Sequence, residues 1–193
     1  CTGHGVPGAF MSILGNSLLD QALFEKKLVY PNEILNFLNT RISTRFRQNG
    51  INSEFKDGMD ISLIMIDKDV EKLFFSAAQR PMIYFDINNH IQVVKGDRRP
   101  IGWVADDSMH QFVMHEFTIN ELKMVYLFSD GYYDQFGGER NKKFKLHNFK
   151  SLLYTIALED INNQKDILKE SFKLWKGNYA QIDDITVFGI KLN

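Results

Sequence analysis

Two aspartates in the second half of this sequence have the residue type and the setting to bind a hard metal ion. Asp130 follows the apolar run Val125–Phe128, which predicts a buried strand, and precedes Gly131, which would let the backbone turn sharply. Asp183 comes shortly before another strand-like run, Ile185–Ile190. If these strands are neighbours, the two carboxylates can hold Mg²⁺ or Mn²⁺, because these ions prefer oxygen ligands. Two such ions about 4 Å apart can activate a water molecule and hold a phosphoryl group.

Other interpretations of the acidic residues remain open at the level of sequence. A single Asp-Gly after a strand is usually only a turn, so the metal hypothesis depends on both sites together. Asp184 should point to the opposite strand face from Asp183, so one of them is the ligand candidate and the other is structural. Asp134 belongs either to the rim of the site or to a helix start. For Asp60 we expect a turn or loop hydrogen bond rather than a metal.

The segment Gly3–Gly8 formally matches the dinucleotide-binding pattern G-x-G-x-x-G. Such a site needs a strand directly before the pattern and an acid about 20 residues later at a strand end. No strand is visible before Cys1, and Asp20 falls within a predicted helix. The better interpretation is a glycine loop that leads into a helix, with His4 shaping the loop rather than binding metal.

Composition and charge exclude several classes of function. The net charge of −1 predicts no surface for nucleic acid or for an anionic membrane. Cys1 is the single cysteine, so no internal disulfide is expected, which favours a reducing, cytoplasmic location. No apolar run approaches the roughly 18 residues of a membrane span, so we expect no membrane contact. A length of 193 residues predicts one domain.

Apolar periodicity predicts the helices and strands that would position the two aspartates. Helices are expected at Ala9–Leu23, from Asn32 as N-cap to about Asn49–Gly50, at Phe149–Leu158 and at Asn162–Trp175. An antiparallel meander is expected from Met59–Ile66, Leu73–Ala78, Met82–Phe85 and His90–Val94. A further hairpin is expected from Phe112–Thr118 and Leu122–Phe128, and a last strand at Ile185–Leu192. This order predicts an α+β fold, with sheet layers packed against helical layers.

Four segments, in this order along the chain, resemble the motifs of one enzyme family. They are Thr2–Ala9 (TGHGVPGA), Asp57–Asp60 (DGMD), Leu127–Gly131 (LFSDG) and Gln181–Thr186 (QIDDIT). Together they are similar to the SpoIIE/RsbU branch of the metal-dependent PPM (protein phosphatase 2C-like) serine/threonine phosphatases, over essentially the whole chain. The resemblance implies an α-β-β-α sandwich of mostly antiparallel sheets flanked by helices. It also implies a dinuclear Mn²⁺ or Mg²⁺ centre whose bound hydroxide attacks phosphoserine or phosphothreonine in one step.

Carried over residue by residue, the resemblance makes Asp130, Asp183 and the backbone carbonyl of Cys1 metal ligands. The catalytic group would be metal-bound water rather than a side chain. In the family motif Asp-x-x-Gly-His-Gly the aspartate bridges both metals, and it would immediately precede Cys1. We therefore expect residues 1–193 to be a single phosphatase domain without its N-terminal strands, impaired in activity and binding little or no metal. The sheet edge exposed by the missing strands could pair with a second copy to form a dimer.

The resemblance also implies partners, because this branch acts in signalling. The substrate would be a phosphorylated protein, typically an anti-sigma-factor antagonist. An N-terminal sensor domain would move the first helices as a regulatory switch. The alternative, from another class of function, is a non-catalytic regulatory or docking module that keeps the fold but not the metal centre. An aspartate encoded immediately before Cys1 would favour the enzyme over the module.

Overall fold

The computed structural model describes residues 6–48, 58–102 and 110–192. It is an α+β structure with antiparallel sheets, which confirms the predicted fold class. The chain divides into two compact units, one formed by Cys1–Pro81 and Lys95–Thr118, the other by Met82–Val94 and Ile119–Asn193. The predicted ligand Cys1, the loop residue His4 and the predicted helix end at Asn49–Gly50 lie outside the described residues.

The first unit packs two helices on a three-stranded antiparallel sheet. Helix α1 (Val6–Asp20) continues as one π-helical turn (Gln21–Glu25), and α2 (Pro31–Gln48) follows. The strands are β1 (Ile61–Asp67), β2 (Lys72–Ala78) and β5 (His115–Thr118), in the order β1-β2-β5. Apolar residues at helical spacing face the core because they fall on one stripe of each helix. They are Met11, Leu14, Leu18 and Ala22 from the first helical segment, and Ile34, Leu35, Leu38 and Ile42 from α2.

The second unit contains a four-stranded antiparallel sheet and holds both predicted ligands. Its strands are β3 (Met82–Asp86), β4 (Ile91–Val94), β6 (Leu122–Phe128) and β9 (Val187–Lys191), in the order β4-β3-β6-β9. Its helices are α3 (Gly131–Asp134), α4 (Leu146–Ile156) and α5 (Ile161–Lys176), with a short pair β7 (Phe136–Gly137) and β8 (Lys142–Lys143) between α3 and α4. Helix α5 begins where the Asp160 side chain accepts a hydrogen bond from Asn162 N. The core of this unit is strongly aromatic and includes Phe85, Tyr126, Phe128, Tyr132, Phe144 and Phe149.

The predicted meander is correct for the β1–β2 and β3–β4 pairs but wrong for β2 and β3, and the predicted second hairpin is wrong. Strand β2 pairs with β1 and β5, whereas β3 pairs with β4 and β6, so β2 and β3 belong to different sheets, as do β5 and β6. The chain changes sheet at residues 79–81, where Pro81 cannot donate to a strand ladder. It changes again at the 3₁₀ turn Ile119–Glu121, which separates β5 from β6. Alternation of apolar residues predicts a strand but does not specify its partner.

The predicted N-cap of the second helix is also wrong. Helix α2 begins at Pro31, and Ile34 N donates to the carbonyl oxygen of Tyr30 at 3.1 Å. Asn32 therefore lies inside the first turn, because proline is well suited to the first helical position. None of the helices within residues 6–48, 58–102 and 110–192 is both long and apolar enough to cross a membrane.

Candidate active site

Asp130 lies at the end of a buried strand in the second unit. Strand β6 runs between β3 and β9, and its residues Val125, Tyr126 and Phe128 are buried. Asp130 is the second residue after the end of β6 and the last residue before α3, and it is half-buried. Its carbonyl oxygen accepts a hydrogen bond from Asp134 N at 2.9 Å, which ties it to that short helix. The strand thus delivers this carboxylate to one edge of the sheet, as its apolar sequence predicts.

The segment that carries Asp183 lies beside the segment that carries Asp130. Strands β6 and β9 are antiparallel with Phe128 opposite Val187, so the end of one meets the start of the other. Beyond that pair, Ser129 N donates to the carbonyl oxygen of Thr186 at 3.0 Å, and Thr186 N donates to Ser129 Oγ at 2.9 Å. Ser129 Oγ in turn donates to the carbonyl oxygen of Asp184 at 3.0 Å. Ser129 therefore joins the two acidic segments, which are more than fifty residues apart in sequence.

Gly131 permits close approach of the two segments rather than a sharp turn. A Cβ atom at this position would overlap the carbonyl oxygen of Asp184 and would lie 3.0 Å from its carbonyl carbon. Gly131 is not among the described glycines with positive φ, so no unusual backbone angle requires it. The expectation that Gly131 serves a sharp turn is therefore wrong, and the close approach to Asp184 is what requires a glycine here.

Asp183 and Asp184 are both exposed and precede the strand that they were expected to open. Strand β9 begins only at Val187, so the predicted alternation of strand faces does not apply to them. Asp184 N donates to Asp183 Oδ1 at 2.7 Å, and Gln181 Nε2 donates to the carbonyl oxygen of Asp183 at 2.8 Å. These two contacts orient Asp183, whereas Asp184 meets the Asp130 segment through its main-chain carbonyl.

Gln135 is a buried polar residue at this site that sequence analysis does not identify. Its side chain is fully buried, its Nε2 donates to the carbonyl oxygens of Phe136 and Ala180 at 2.9 and 2.8 Å, and its Oε1 accepts from Ile182 N at 3.4 Å. Gln135 therefore connects the end of α3 with the residues just before Asp183. No local pattern marks it, because its partners lie 45 and 47 positions away.

Two buried tyrosines support the same region. Burial raises the pKa of Tyr126 and of Tyr132 to about 12, so both hydroxyls stay protonated over the physiological range. The Tyr132 hydroxyl donates to the carbonyl oxygen of Leu168 at 2.8 Å, which attaches α3 to α5. The Tyr126 hydroxyl donates to Gln164 Oε1, which attaches β6 to the same helix.

The remaining acidic candidates have structural partners. Asp134 is the last residue of α3 and forms an ion pair with Lys143 Nζ at 2.9 Å. Asp60, in the first unit, forms an ion pair with Arg80 Nη2 at 2.6 Å, and both side chains are mostly buried.

The donor chemistry at the sheet edge fits a hard divalent cation, since Asp130 and Asp183 offer carboxylate oxygens from adjoining segments. Among the residues that the structure describes, no group of three or more His, Cys, Asp or Glu is placed to hold a metal ion. The two aspartates can therefore supply part of a coordination sphere.

Comparison with known proteins identifies the family and the fold of this chain. The family model of Stage II sporulation protein E (SpoIIE) matches residues 1–193, whereas no curated protein sequence matches. Among solved structures, the SiaA-PP2C domain of Pseudomonas aeruginosa has 27% identity and a TM-score of 0.81, over 99% of this chain and 72% of that one. A structure of RsbX in complex with magnesium has 12% identity and a TM-score of 0.62, over 97% and 75% of the two chains. The Mn-presoaked phosphatase domain of the cell fate determinant SpoIIE from Bacillus subtilis has 16% identity and a TM-score of 0.52, over 99% and 74%. The last two likenesses show a shared fold, and the family match confirms the predicted resemblance.

Proposed function

Since the chain belongs to the Stage II sporulation protein E (SpoIIE) family, we propose that residues 1–193 act as a single protein serine/threonine phosphatase domain. The observation that carries this proposal is the joining of the Asp130 and Asp183 segments by Ser129 at one edge of the sheet. Two carboxylates on segments joined in this way would suit the binding of divalent cations beside a phosphoryl group.

Asp130 and Asp183 would hold Mn²⁺ or Mg²⁺, together with the backbone carbonyl of Cys1. Bound there, the ions would supply an activated water molecule and neutralise charge on the phosphoryl group. Asp130 is fixed by its position between β6 and α3, because the carbonyl of the same residue is bonded to Asp134 N. Asp183 is held by the Asp184 N–H group on one of its carboxylate oxygens. The protein thus restrains the backbone of Asp130 and one carboxylate oxygen of Asp183, which would lower the cost of assembling a metal site.

The substrate proposed is a phosphorylated signalling protein, such as an anti-sigma-factor antagonist, in the cytoplasm. The SiaA-PP2C and SpoIIE phosphatase domains are each named as parts of larger proteins, which supports an attached sensor or regulatory domain here. Pairing of a second copy along an exposed strand edge stays a prediction, for which analytical ultracentrifugation is the test.

The experiment is Mn²⁺-dependent hydrolysis of a phosphoserine peptide by a longer polypeptide that includes the residues preceding Cys1. Asp130→Asn and Asp183→Asn should each lower turnover by roughly a hundredfold or more, because a metal ion supplies several kcal/mol of transition-state stabilisation. Asp166→Asn is the matched control, since Asp166 is an exposed aspartate on α5. Turnover unchanged in both site variants would contradict the proposal. Calorimetric titration of the 193-residue chain with Mn²⁺ tests the expectation that it binds little metal.

The second function is the alternative that the sequence leaves open. It is a regulatory or docking module that binds a phosphoprotein without hydrolysing it. The longer polypeptide separates the two functions, because a docking module would bind the phosphopeptide without Mn²⁺ and would release no phosphate. Asp130→Asn and Asp183→Asn would leave that binding unchanged.

A further inference from the structure

The residues around Asp183 are attached to the rest of the second unit on both sides. On the C-terminal side, Ser129 bonds to Asp184 and Thr186. On the N-terminal side, Gln135 bonds to Ala180 and Ile182. Asp183 lies between these two attachments, and both attachments come from the stretch of chain that also carries Asp130.

The Gln135 side chain is built to hold its partners in one orientation. Its amide nitrogen faces two carbonyl oxygens, and its amide oxygen faces an N–H group. Rotating the amide by half a turn would place its oxygen against two carbonyl oxygens, so the observed orientation is the one that satisfies every group. Because the Gln135 side chain is fully buried, losing these bonds would leave its own amide unpaired in the interior.

The backbone of Gln135 is itself fixed, so the side chain starts from a rigid position. Its carbonyl oxygen accepts from Trp175 Nε1 at 3.0 Å and from Phe144 N at 2.9 Å. Trp175 also packs edge-to-face on Phe144, with ring centroids 5.3 Å apart. Gly138 N donates to the carbonyl oxygen of Trp175 at 2.9 Å. The strand pair that follows Gln135 is therefore anchored to the end of α5.

We infer that Gln135 is a positioning residue that sets the place of Asp183 relative to Asp130. It acts through the backbone at residues 180 and 182, and it touches neither carboxylate. The predicted effect of Gln135 on metal binding rests on the proposed function, whereas its effect on the position of residues 180–186 does not. Mutation of residues that orient a metal ligand commonly lowers metal affinity by about 10- to 100-fold.

The test compares Gln135→Met with Gln164→Met. Gln164 is the matched control because it is also a buried glutamine of this unit, with bonds to Tyr126 and to the carbonyl oxygen of Glu159 but none to residues 180–186. Hydrogen–deuterium exchange of the 193-residue chain without metal should be roughly two- to tenfold faster over residues 180–186 in Gln135→Met. Gln164→Met should leave that segment as in the wild type. Equal acceleration in both variants, or none in Gln135→Met, would overturn the inference.

The second measurement uses the longer polypeptide that includes the residues before Cys1. Gln135→Met should raise the Mn²⁺ concentration for half-maximal activity by about 10- to 100-fold, while turnover at saturating Mn²⁺ falls much less. A loss of turnover without a change in Mn²⁺ requirement would contradict the positioning role. If Gln135→Met does not fold, Gln135→Glu serves instead, since it keeps the oxygen that faces Ile182 and loses the donor to Ala180. A wild type that binds no Mn²⁺ would refute the proposed function, and the exchange measurement would still decide the role of Gln135.

Discussion

Replacing Gly131 by alanine should separate the two acidic segments. The added Cβ would overlap the carbonyl oxygen of Asp184 and approach Ile185 Cγ1 to 3.2 Å. The obstacle is backbone, which cannot rotate aside as a flexible side chain can. The segments must therefore move apart by roughly 1 Å, and a misplacement of that size can cost about a hundredfold in rate. Crowding of this kind typically lowers the free energy of unfolding by about 1–3 kcal/mol.

Two assays measure the effect. Mn²⁺-dependent phosphopeptide hydrolysis by the longer polypeptide reports the rate, and urea unfolding of the 193-residue chain reports stability. Gly189→Ala is the control, because its Cβ would meet only side-chain atoms, Met124 Cε at 3.1 Å and Tyr126 at 3.3 Å, on the same pair of strands. We expect the control to lose a little stability and to keep its Mn²⁺ requirement.

The reasoning would be refuted if Gly131→Ala hydrolysed the phosphopeptide at the wild-type rate and with the wild-type Mn²⁺ requirement. It would also fail if Gly189→Ala lost as much activity as Gly131→Ala. In that case, general weakening of the β6–β9 pairing, rather than displacement of Asp183 and Asp184, would explain the loss.

Two further predictions concern the stability of each unit. Because burial raises the pKa of Tyr126 and Tyr132 from 10.0 to about 12, the folded state holds their protons more tightly than the unfolded state. Stability from these groups should be complete below pH 10 and should be lost as the pH rises towards 12, which urea unfolding at several pH values can follow. The tyrosinate absorbance of Tyr126 and Tyr132 is obtained by subtracting the titrations of Tyr126→Phe and Tyr132→Phe, because exposed tyrosines such as Tyr154 also titrate. Tyrosinate at either buried position near pH 10 without unfolding would contradict this. Asp60→Asn should lower the free energy of unfolding by about 1–3 kcal/mol, because it weakens a charge-assisted bond to Arg80, and it should leave Mn²⁺ affinity unchanged. A loss of Mn²⁺ affinity at unchanged stability would show that Asp60 has a role in the metal site.

The sequence predicted the elements of this fold better than their pairing. Helix α5 follows from apolar residues at helical spacing, and strand β6 follows from a short continuous apolar run. The sheet to which a strand belongs depends on contacts between distant residues, and the chain changes sheet at Pro81 and at Ile119–Glu121. These changes occur at short turns that resemble hairpin turns in sequence, so local patterns could not reveal them.

At the candidate site, the acidic residues could be predicted from the sequence, but the residues that hold their segments in place could not. Asp130 and Asp183 stand out because each adjoins a strand-like run. Ser129 and Gln135 are small or polar residues whose importance depends on partners 45 to 57 positions away. Gly131 was predicted for a turn, but its actual requirement is the nearby carbonyl of Asp184. Such constraints exist only after the chain has folded.

The pairing of β6 with β9 has a consequence for biosynthesis. The partners of Ser129 lie 55 and 57 residues further along the chain. A ribosome must therefore release nearly all of these 193 residues before the segments that carry Asp130 and Asp183 can pair. Contacts of such long sequence separation form late and slowly, because loop closure must precede them. A nascent polypeptide that has folded only its first sheet would still be unable to join the segments that carry Asp130 and Asp183.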